Sequence, residues 1–251
     1  MAIEWLEWPG YRAYSWNPIT GCTPKSEACL NCWAKTVSSR FGRDFKITVH
    51  LDRFDEPVHW KKPRSVFVCS VSDLFHESLE DGIIENILNT IARHQDNIWF
   101  ILTKRPKRMI EIIEKDYLPE EFKETFNNTW FGITAENQAR LDERLPFLIQ
   151  IPSEKRYISA EPLLGSINIP DGISWIICGG ESGEGCRPMR IEWARWVRDQ
   201  CIEKNIPYYL KQLGGFPNQH HRKEAILDGR LWKQIPIKEG DSWQSAESGK
   251  L

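Results

Sequence analysis

The chain has 251 residues, of which 41% are hydrophobic and 27% are charged. A chain of this length buries a substantial core, and its composition is that of a globular protein rather than a disordered one. Its net charge of −2 excludes an overall positive field that would attract nucleic acid or acidic lipid.

The first sixteen residues contain no basic segment followed by an apolar one, so they do not resemble a signal peptide. No stretch approaches the roughly 20 apolar residues of a membrane span. We therefore expect a cytoplasmic protein without membrane association, in a compartment where thiols persist as thiols or metal ligands. Seven cysteines, an odd number, also fit poorly with a disulfide framework.

Short apolar runs rich in β-branched and aromatic residues recur along the chain. They cover residues 65–71, 98–103, 129–134, 156–160, 174–179 and 207–212. Their continuous apolar character predicts strands that are buried on both faces, as in a parallel sheet. A further strand is expected near residues 14–19. The twelve tryptophans are expected mainly in the core.

Helical patterns fill most of the gaps between these runs. Residues 81–95 place five aliphatic side chains on one face, with Asp81 as a plausible N-cap. Shorter helices are expected over 107–115 and over 137–148, where Pro146 should kink or end the helix. A further helical pattern covers 191–205, and little helix is expected over the crossover that starts at Glu161.

The alternation of strands and helices predicts an α/β fold, specifically a single-domain partial (βα)6-type TIM-like barrel with a C-terminal cap. One domain is expected over residues 1–251. Within it, 1–40 form the cysteine-loop region, 41–215 the βα units, and 216–251 the cap or tail.

Polar residues follow every apolar run, at what would be the same edge of a parallel sheet. Because ligands gather at the carboxyl ends of such strands, we expect a lined edge, which we call the polar mouth. Its members are Ser72, Asp73, Thr103, Lys104, Arg105, Thr134, Glu136, Asn137, Ser159, Glu161, Gly179, Gly180, Glu181, Ser182, Lys211 and Gln212. Part of this pattern follows simply from strands ending where polarity begins.

Lys104, Glu161 and Lys211 are the candidate catalytic residues of the polar mouth, since each can transfer a proton or hold an anionic group. An ordinary ion pair would explain each of them equally well. Residues 179–183 read GGESG, which lacks the G-x-G-x-x-G spacing of a dinucleotide fingerprint. Glycines at this edge would let the backbone approach a ligand closely.

Three cysteines, Cys22, Cys29 and Cys32, lie within eleven residues that we call the cysteine loop (residues 22–32). A structural zinc site normally has four ligands, and Cys186 could supply the fourth in space. A [4Fe-4S] cluster held by three cysteines would instead leave one iron open to a ligand. The remaining cysteines, at positions 69, 178 and 201, lie in apolar runs and are expected in the core.

A set of sequence motifs resembles a phage-associated three-cysteine family that is similar to the radical S-adenosylmethionine (SAM) enzymes. In chain order the motifs are WNPITGC, CxxCWA, SVSDLF, FILTKRP, FGITAEN, RYISAEPLLG, ICGGESG, YYLKQLGG and LDGRLW. The resemblance covers about residues 4–235. It implies that the three cysteines of the loop bind three irons of a [4Fe-4S] cluster, and that SAM chelates the fourth.

The same resemblance implies a set of residues that contact SAM or substrate. Glu136 and Asn137 would contact the ribose, and 179–181 the adenosine or substrate. Ser72 and Asp73 stand where the usual amine-binding G-G-E would be. The set is therefore Ser72, Asp73, Glu136, Asn137, Gly179, Gly180 and Glu181.

The chain departs from the commonest radical SAM pattern in three ways. The first cysteine gap has six residues rather than three, and Asn31 stands where an aromatic residue is usual. An aromatic residue, Trp33, follows the last cysteine instead. The G-G-E triplet at 179–181 comes late in the chain rather than after the second strand.

The reaction implied by the resemblance is reductive cleavage of SAM to methionine and a 5′-deoxyadenosyl radical, which takes hydrogen from a substrate. An external electron donor, a nucleotide or nucleic-acid substrate and a partner protein are further expectations.

One alternative is a zinc- or cluster-stabilised nucleic-acid-binding or processing protein without SAM chemistry. It would use Trp33 and the basic segments 59–64 and 103–108, which are otherwise expected to be solvated faces. Another is a barrel that keeps a cluster only for structure.

Overall fold

The computed structural model describes residues 3–42, 44–117, 119–182, 185–214, 225–239 and 242–245. The strands are β1 (Arg12–Trp16), β2 (Ile19–Thr20), β3 (Thr48–Val49), β4 (Arg64–Val68), β5 (Ile98–Thr103), β6 (Thr129–Thr134), β7 (Arg156–Ala160), β8 (Trp175–Cys178), β9 (Tyr208–Leu210), β10 (Ile226–Leu227), β11 (Arg230–Leu231), β12 (Gln234–Glu239) and β13 (Ser242–Ser245).

The α-helices are α1 (Trp33–Arg40), α2 (Asp81–Arg93), α3 (Pro106–Asp116), α4 (Pro119–Thr125), α5 (Gln138–Leu148) and α6 (Ile191–Glu203). Short 3-10 helices cover Glu4–Leu6, Glu27–Cys29, Leu51–Arg53 and Glu56–His59.

Across the described residues, seven parallel strands form one curled sheet in the order β1-β4-β5-β6-β7-β8-β9. The order follows the chain, so each strand pairs with the next long strand after a crossover connection. This is a partial TIM-like α/β barrel, as the alternation of elements predicts. The strand expected near residues 14–19 is β1, and the run at 65–71 forms a strand only as far as Val68.

The two faces of the sheet are both covered at the amino ends of the strands. On β5, Trp99 and Ile101 face the core formed with the helices, while Ile98 and Phe100 face the opposite side. This alternation is the period of two that a strand imposes on its side chains. The strand runs are continuously apolar because both faces are buried.

The inner face carries an aromatic layer, defined by Trp5, Trp8, Phe100, Trp130, Tyr157, Trp175 and Tyr209. Trp5 comes from the 3-10 helix near the amino terminus and contacts the rings of Phe100 and Trp175 edge-to-face. Most of the described tryptophans are thus in the core, as expected. Trp33 and Trp196 are exposed, and Trp60, Trp193 and Trp243 are half-buried.

Two details of the helices differ from the sequence prediction. Asp81 is the first residue of α2 and Glu80 is its N-cap, because the Asp81 carboxylate bonds instead to Arg108 and Lys115. Pro146 lies inside the last turn of α5, where the missing N–H costs one hydrogen bond and the helix continues to Leu148. Residues 161–173 contain no helix, as predicted.

The described part of the C-terminal segment covers the edge strand β9. The N–H of Leu210 donates to the carbonyl of Trp232 (2.7 Å), and Tyr209 pairs with Lys233 as an antiparallel bridge. This contact occupies an edge that would otherwise present unpaired backbone groups. The rest of the predicted cap, at 216–224, 240–241 and 246–251, lies outside the described residues, and so does Gly183. Within the described residues, no helix has both the length and the apolar character to cross a membrane.

Gly132, in the middle of β6, is required by the aromatic layer. A Cβ at this position would lie 2.4 Å from the ring of Tyr157, which is packed against the glycine. We expect Gly132→Ala to lower the free energy of unfolding by about 1–3 kcal/mol through overpacking, measured by urea denaturation.

Gly82 in α2 is the matched control, because a Cβ there meets nothing within 4 Å. Gly82→Ala should leave the free energy of unfolding unchanged or raise it by up to about 1 kcal/mol, since alanine favours the helix. Equal effects of the two substitutions would contradict the described packing of Tyr157 on β6.

Candidate functional site

The polar mouth begins where the aromatic layer ends. Lys104 lies two residues beyond Leu102, whose side chain packs on the aromatic layer, and the register places it beside Thr134. Its Nζ atom lies 3.4 Å from Thr134 Oγ1. Thr134 in turn is paired with Ser159. The inner face is therefore apolar at the amino ends of the strands and polar at their carboxyl ends.

Glu161 and Lys211, two of the predicted catalytic residues, form an ion pair in the polar mouth. Lys211 Nζ and Gln212 Nε2 both donate to Glu161 Oε1, at 2.7 and 2.8 Å. Both charged side chains are partly exposed. In the register of the sheet, Gly179 lies directly after β8, between Glu161 and Lys211. This position of the inner face therefore carries no side chain.

The cysteine loop starts at a backbone position that only glycine can occupy. Gly21 has φ +82°, and a Cβ there would lie 2.0 Å from the carbonyl oxygen of Lys46. Gly21 forms a parallel bridge to Ser72, while the N–H of Cys22 donates to the carbonyl of Phe45. Cys22 is thus fixed at the carboxyl edge of β1 and β4.

The three cysteines of the loop surround one cavity of about 370 Å³, which we call the cysteine cavity. Its other lining residues include Thr23, Asp44 and Lys46. Among the residues that the structure describes, no three Cys, His, Asp or Glu side chains converge closely enough to bind a single metal ion. Cys186 does not belong to the described lining of the cavity.

This arrangement bears on which metal group the thiols fit. A tetrahedral zinc ion needs four ligands that meet around one point. An iron–sulfur cluster takes each thiolate on a separate iron, so its ligands surround a volume rather than a point. Thiolates are also the soft ligands that iron–sulfur clusters use. Three thiols around a shared cavity are therefore a donor set that suits an iron–sulfur cluster.

Ser72 and Asp73, two of the predicted SAM contacts, lie beneath the cysteine loop and form hydrogen bonds to other residues of the chain. Ser72 Oγ donates to the carbonyl of Gly21 (2.6 Å). The buried Asp73 carboxylate accepts from the N–H groups of Phe75 and Lys104, from Thr103 Oγ1 and from Arg105 Nη1, at 2.7–3.1 Å. Through these hydrogen bonds Ser72 and Asp73 hold the cysteine loop in position.

Arg105 is a member of the predicted polar mouth, but the sequence patterns place it in neither the catalytic nor the cofactor-binding set. The basic run 103–108 is expected to be a solvated face, but the Arg105 side chain is 4% exposed. The Arg108 guanidinium likewise binds the backbone carbonyls of His76 and Leu79. The available signal is that Arg105 follows a buried strand, at the edge where the polar mouth is predicted.

The environment of Cys22 opposes ionisation of its thiol. Burial raises the pKa of Cys22 to about 11, and the nearby Asp73 carboxylate adds to the rise, while Arg105 lowers it. Metal binding needs the thiolate, so a metal at this site would have to displace the proton.

Asn31 and Glu181, which lie at two of the departures from the commonest radical SAM pattern, contact each other. Asn31 Nδ2 donates to Glu181 Oε2 (2.8 Å), and Arg187 binds the same carboxylate through its side chain and its backbone N–H. These hydrogen bonds from Arg187 and Asn31 outweigh the effect of burial and lower the pKa of Glu181. Arg187 also donates to the carbonyl of Glu27, so the cysteine loop is tied to the end of β8.

Glu136 and Asn137, the predicted ribose contacts, have separate surroundings. Glu136 is wholly buried and bonds to Arg144 Nη1 at 2.8 Å, so a ribose could reach it only if this ion pair opened. Asn137 is the N-cap of α5, where its Oδ1 accepts from the N–H of Arg140 (3.0 Å). Its Nδ2 donates to Glu27 in the cysteine loop (2.6 Å).

The chain belongs to the family described as "Protein of unknown function (DUF5131)", whose sequence profile it matches over residues 2–236. No curated protein matches it. Among solved structures, it is similar to spore photoproduct lyase complexed with dinucleoside spore photoproduct. The TM-score is 0.45 and the identity 13%, and the match covers 75% of this chain and 61% of that one.

Two mutant forms of the same lyase are also similar. One has a TM-score of 0.45 at 12% identity, covering 75% of this chain and 61% of the lyase chain. The other has a TM-score of 0.43 at 13% identity, with 74% and 59% covered. The chain thus spans about three-fifths of the length of these lyase structures.

The buried ion pair between Arg144 and Glu136 gives a prediction for stability. Arg144→Met would leave the Glu136 charge buried without its partner, so we expect the free energy of unfolding to fall by about 3–5 kcal/mol in urea denaturation. Arg140→Met, four residues earlier on α5, removes an arginine whose ion pairs with Glu27 and Glu143 are partly exposed. Its loss should be at most about 1 kcal/mol. Similar losses in the two variants would mean that the pair is solvated.

Proposed function

We propose that the chain is a radical SAM-like iron–sulfur enzyme, with a [4Fe-4S] cluster on Cys22, Cys29 and Cys32 and SAM as its cofactor. The observation that carries the proposal is the placement of the three thiols. They surround one cavity at the carboxyl edge of a parallel partial barrel, where ligands of this fold class bind. The cysteine loop is bound directly to the ends of β4, β5 and β8.

The cluster and SAM, when bound, would supply reductive cleavage of the sulfonium carbon–sulfur bond of SAM. The protein would supply the ligands, the orientation and an enclosed volume. The aromatic layer closes the barrel interior below the polar mouth, since Tyr157, Trp175 and Phe100 are fully buried. Such a floor keeps water from reaching the polar mouth from the amino ends of the strands.

Glu161 and Lys211 would act within the polar mouth in this proposal. Their ion pair, 2.7 Å long and partly exposed, can exchange a proton with a bound molecule or bind its charged groups. Gly179 carries no side chain between them, and a Cβ there would lie 3.3 Å from the Gln212 amide nitrogen, so a ligand would reach this backbone by displacing the Gln212 side chain. We propose that this position receives part of SAM or of the substrate.

The substrate and the partners extend the proposal. Lys104, whose Nζ contacts Thr134 Oγ1, adds a cation to the polar mouth beside the neutral Glu161–Lys211 pair. This charge favours an anionic substrate, and a nucleotide or nucleic acid is the class to test first. Reductive chemistry also requires an external one-electron donor.

One observation favours the alternative of a nucleic-acid-binding protein without SAM chemistry. Helix α1 has no buried residue, and Trp33 at its start is 44% exposed. A groove of about 490 Å³ beside it is lined by Lys35 and Arg40, together with Leu30 and Cys32. An exposed aromatic ring beside cations suits the stacking and phosphate contacts of single-stranded nucleic acid. Metal content together with the response to SAM separates this alternative from the enzyme.

The cluster is tested by metal analysis and EPR of the anaerobically purified chain. We expect about four iron atoms per chain and an EPR signal of the reduced protein that SAM changes. Cys22→Ala, Cys29→Ala and Cys32→Ala should each lose most of the iron. Cys201→Ala, which changes a buried core thiol, is the control and should retain it. Stoichiometric zinc with no effect of SAM would contradict the proposal and favour the nucleic-acid-binding alternative.

The polar mouth is tested separately from the cluster. We expect Glu161→Gln and Lys211→Met to keep the iron content and to slow formation of 5′-deoxyadenosine from SAM at least about tenfold, a typical minimum loss for a proton-transfer or binding group. Lys204→Met, which changes a surface ion pair with Asp171, is the matched lysine control. Unchanged rates in both mouth variants would support a cluster kept only for structure.

A further inference from the structure

The Arg105 guanidinium fills every one of its hydrogen-bonding positions. A guanidinium has five N–H donors. Nε donates to Glu77 Oε2 (2.6 Å), and Nη2 donates to the carbonyl oxygen and to Oγ1 of Thr23, both at 3.2 Å. Nη1 donates to Asp73 Oδ2 (3.1 Å) and to Cys22 Sγ (3.7 Å). One donor is therefore directed at a thiol of the cysteine cavity.

The direction of this donor is fixed by the protein around it. Asp73, which holds Nη1, is itself held by Thr103 Oγ1 and by the N–H of Lys104. Rotating the guanidinium away from Cys22 would break its bonds to both Asp73 and Thr23. The contact to Cys22 is thus set before any ligand binds.

The contact is also charged. Arg105 is buried against two carboxylates, Asp73 and Glu77, so its positive charge is retained. For comparison, Cys29 Sγ accepts from an uncharged group, the backbone N–H of Lys25 (3.4 Å).

We propose that Arg105 is a positioning residue for the iron–sulfur cluster, which holds the Cys22 thiolate by a charged hydrogen bond and raises the reduction potential of the cluster. This role rests on the proposed function, since it needs a cluster on Cys22. Reduction adds one negative charge to the cluster, and a cation that donates to a ligand sulfur stabilises the reduced state more than the oxidised one. Cluster potentials respond to net charge and to hydrogen bonds on the sulfurs in this way.

The test is an EPR-monitored redox titration of the anaerobically reconstituted full chain. Arg105→Met should give a more negative midpoint. At the wild-type midpoint the ratio of reduced to oxidised cluster should fall at least about tenfold, which equals 59 mV for a one-electron couple. Arg108→Met is the control, because Arg108 binds the carbonyls of His76 and Leu79 in the connection between β4 and α2 that also carries Asp73 and Glu77. It should titrate like the wild type.

A double variant separates the hydrogen bond from the buried charge. Arg105→Met with Asp73→Asn removes one positive and one negative charge, so local net charge is kept and no carboxylate is left unpaired at position 73. We expect this variant to fold and to bind iron, with a midpoint still below that of the wild type. If it binds iron and titrates at the wild-type midpoint, Arg105 has no effect on the cluster through Cys22, and the inference is overturned.

The outcomes for the wild-type chain distinguish this inference from the proposed function. A wild type that binds a cluster whose EPR signal ignores SAM overturns the proposed function, while the titration still decides the role of Arg105. A wild type that binds no iron overturns both. Loss of iron in Arg105→Met, with retention in the double variant, would assign the loss to the unpaired Asp73 charge.

Discussion

The alternation of side chains along parallel strands is the constraint on which the rest of this structure depends. Helices cover one face of the sheet and the aromatic layer fills the other, so the amino-terminal half of the barrel has no room for a ligand. The same alternation brings Lys104, Thr134 and Glu161 to the inner face, each four residues after an aromatic residue of its strand (Phe100, Trp130 and Tyr157). The polar side chains of the inner face therefore lie together at the carboxyl edge of the sheet.

Three carboxylates at this edge are each held by an arginine from a neighbouring segment. Asp73 pairs with Arg105, Glu136 with Arg144 and Glu181 with Arg187, each carboxylate being buried. Taking such charges out of water costs about as much as their attraction returns, so these pairs add little to stability. Each pair instead fixes the position of a loop that follows a strand. Two of the three pairs, Asp73–Arg105 and Glu181–Arg187, hold the cysteine loop in position.

The sequence predicts the sheet well because the strands are buried on both faces and their runs are continuously apolar. It also predicts the polar edge and the grouping of Cys22, Cys29 and Cys32. It does not predict which carboxylates are already paired, because their partners come from other elements. Arg105 follows a different strand from Asp73, and Arg144 lies two turns along a helix from Glu136. Asp81 is misassigned as an N-cap for the same reason, since its partner Arg108 belongs to the next helix.

The bond between Asn31 and Glu181 joins residues 150 positions apart, and that between Arg187 and Glu27 joins residues 160 apart. Synthesis on the ribosome runs from the amino terminus, so the three thiols leave the tunnel long before the residues that hold their loop. Until strand β8 and the residues after it emerge, the loop lacks its far anchor. A chain released before β8 and the residues after it would therefore carry its thiols on a loop that lacks the contacts to Glu181 and Arg187.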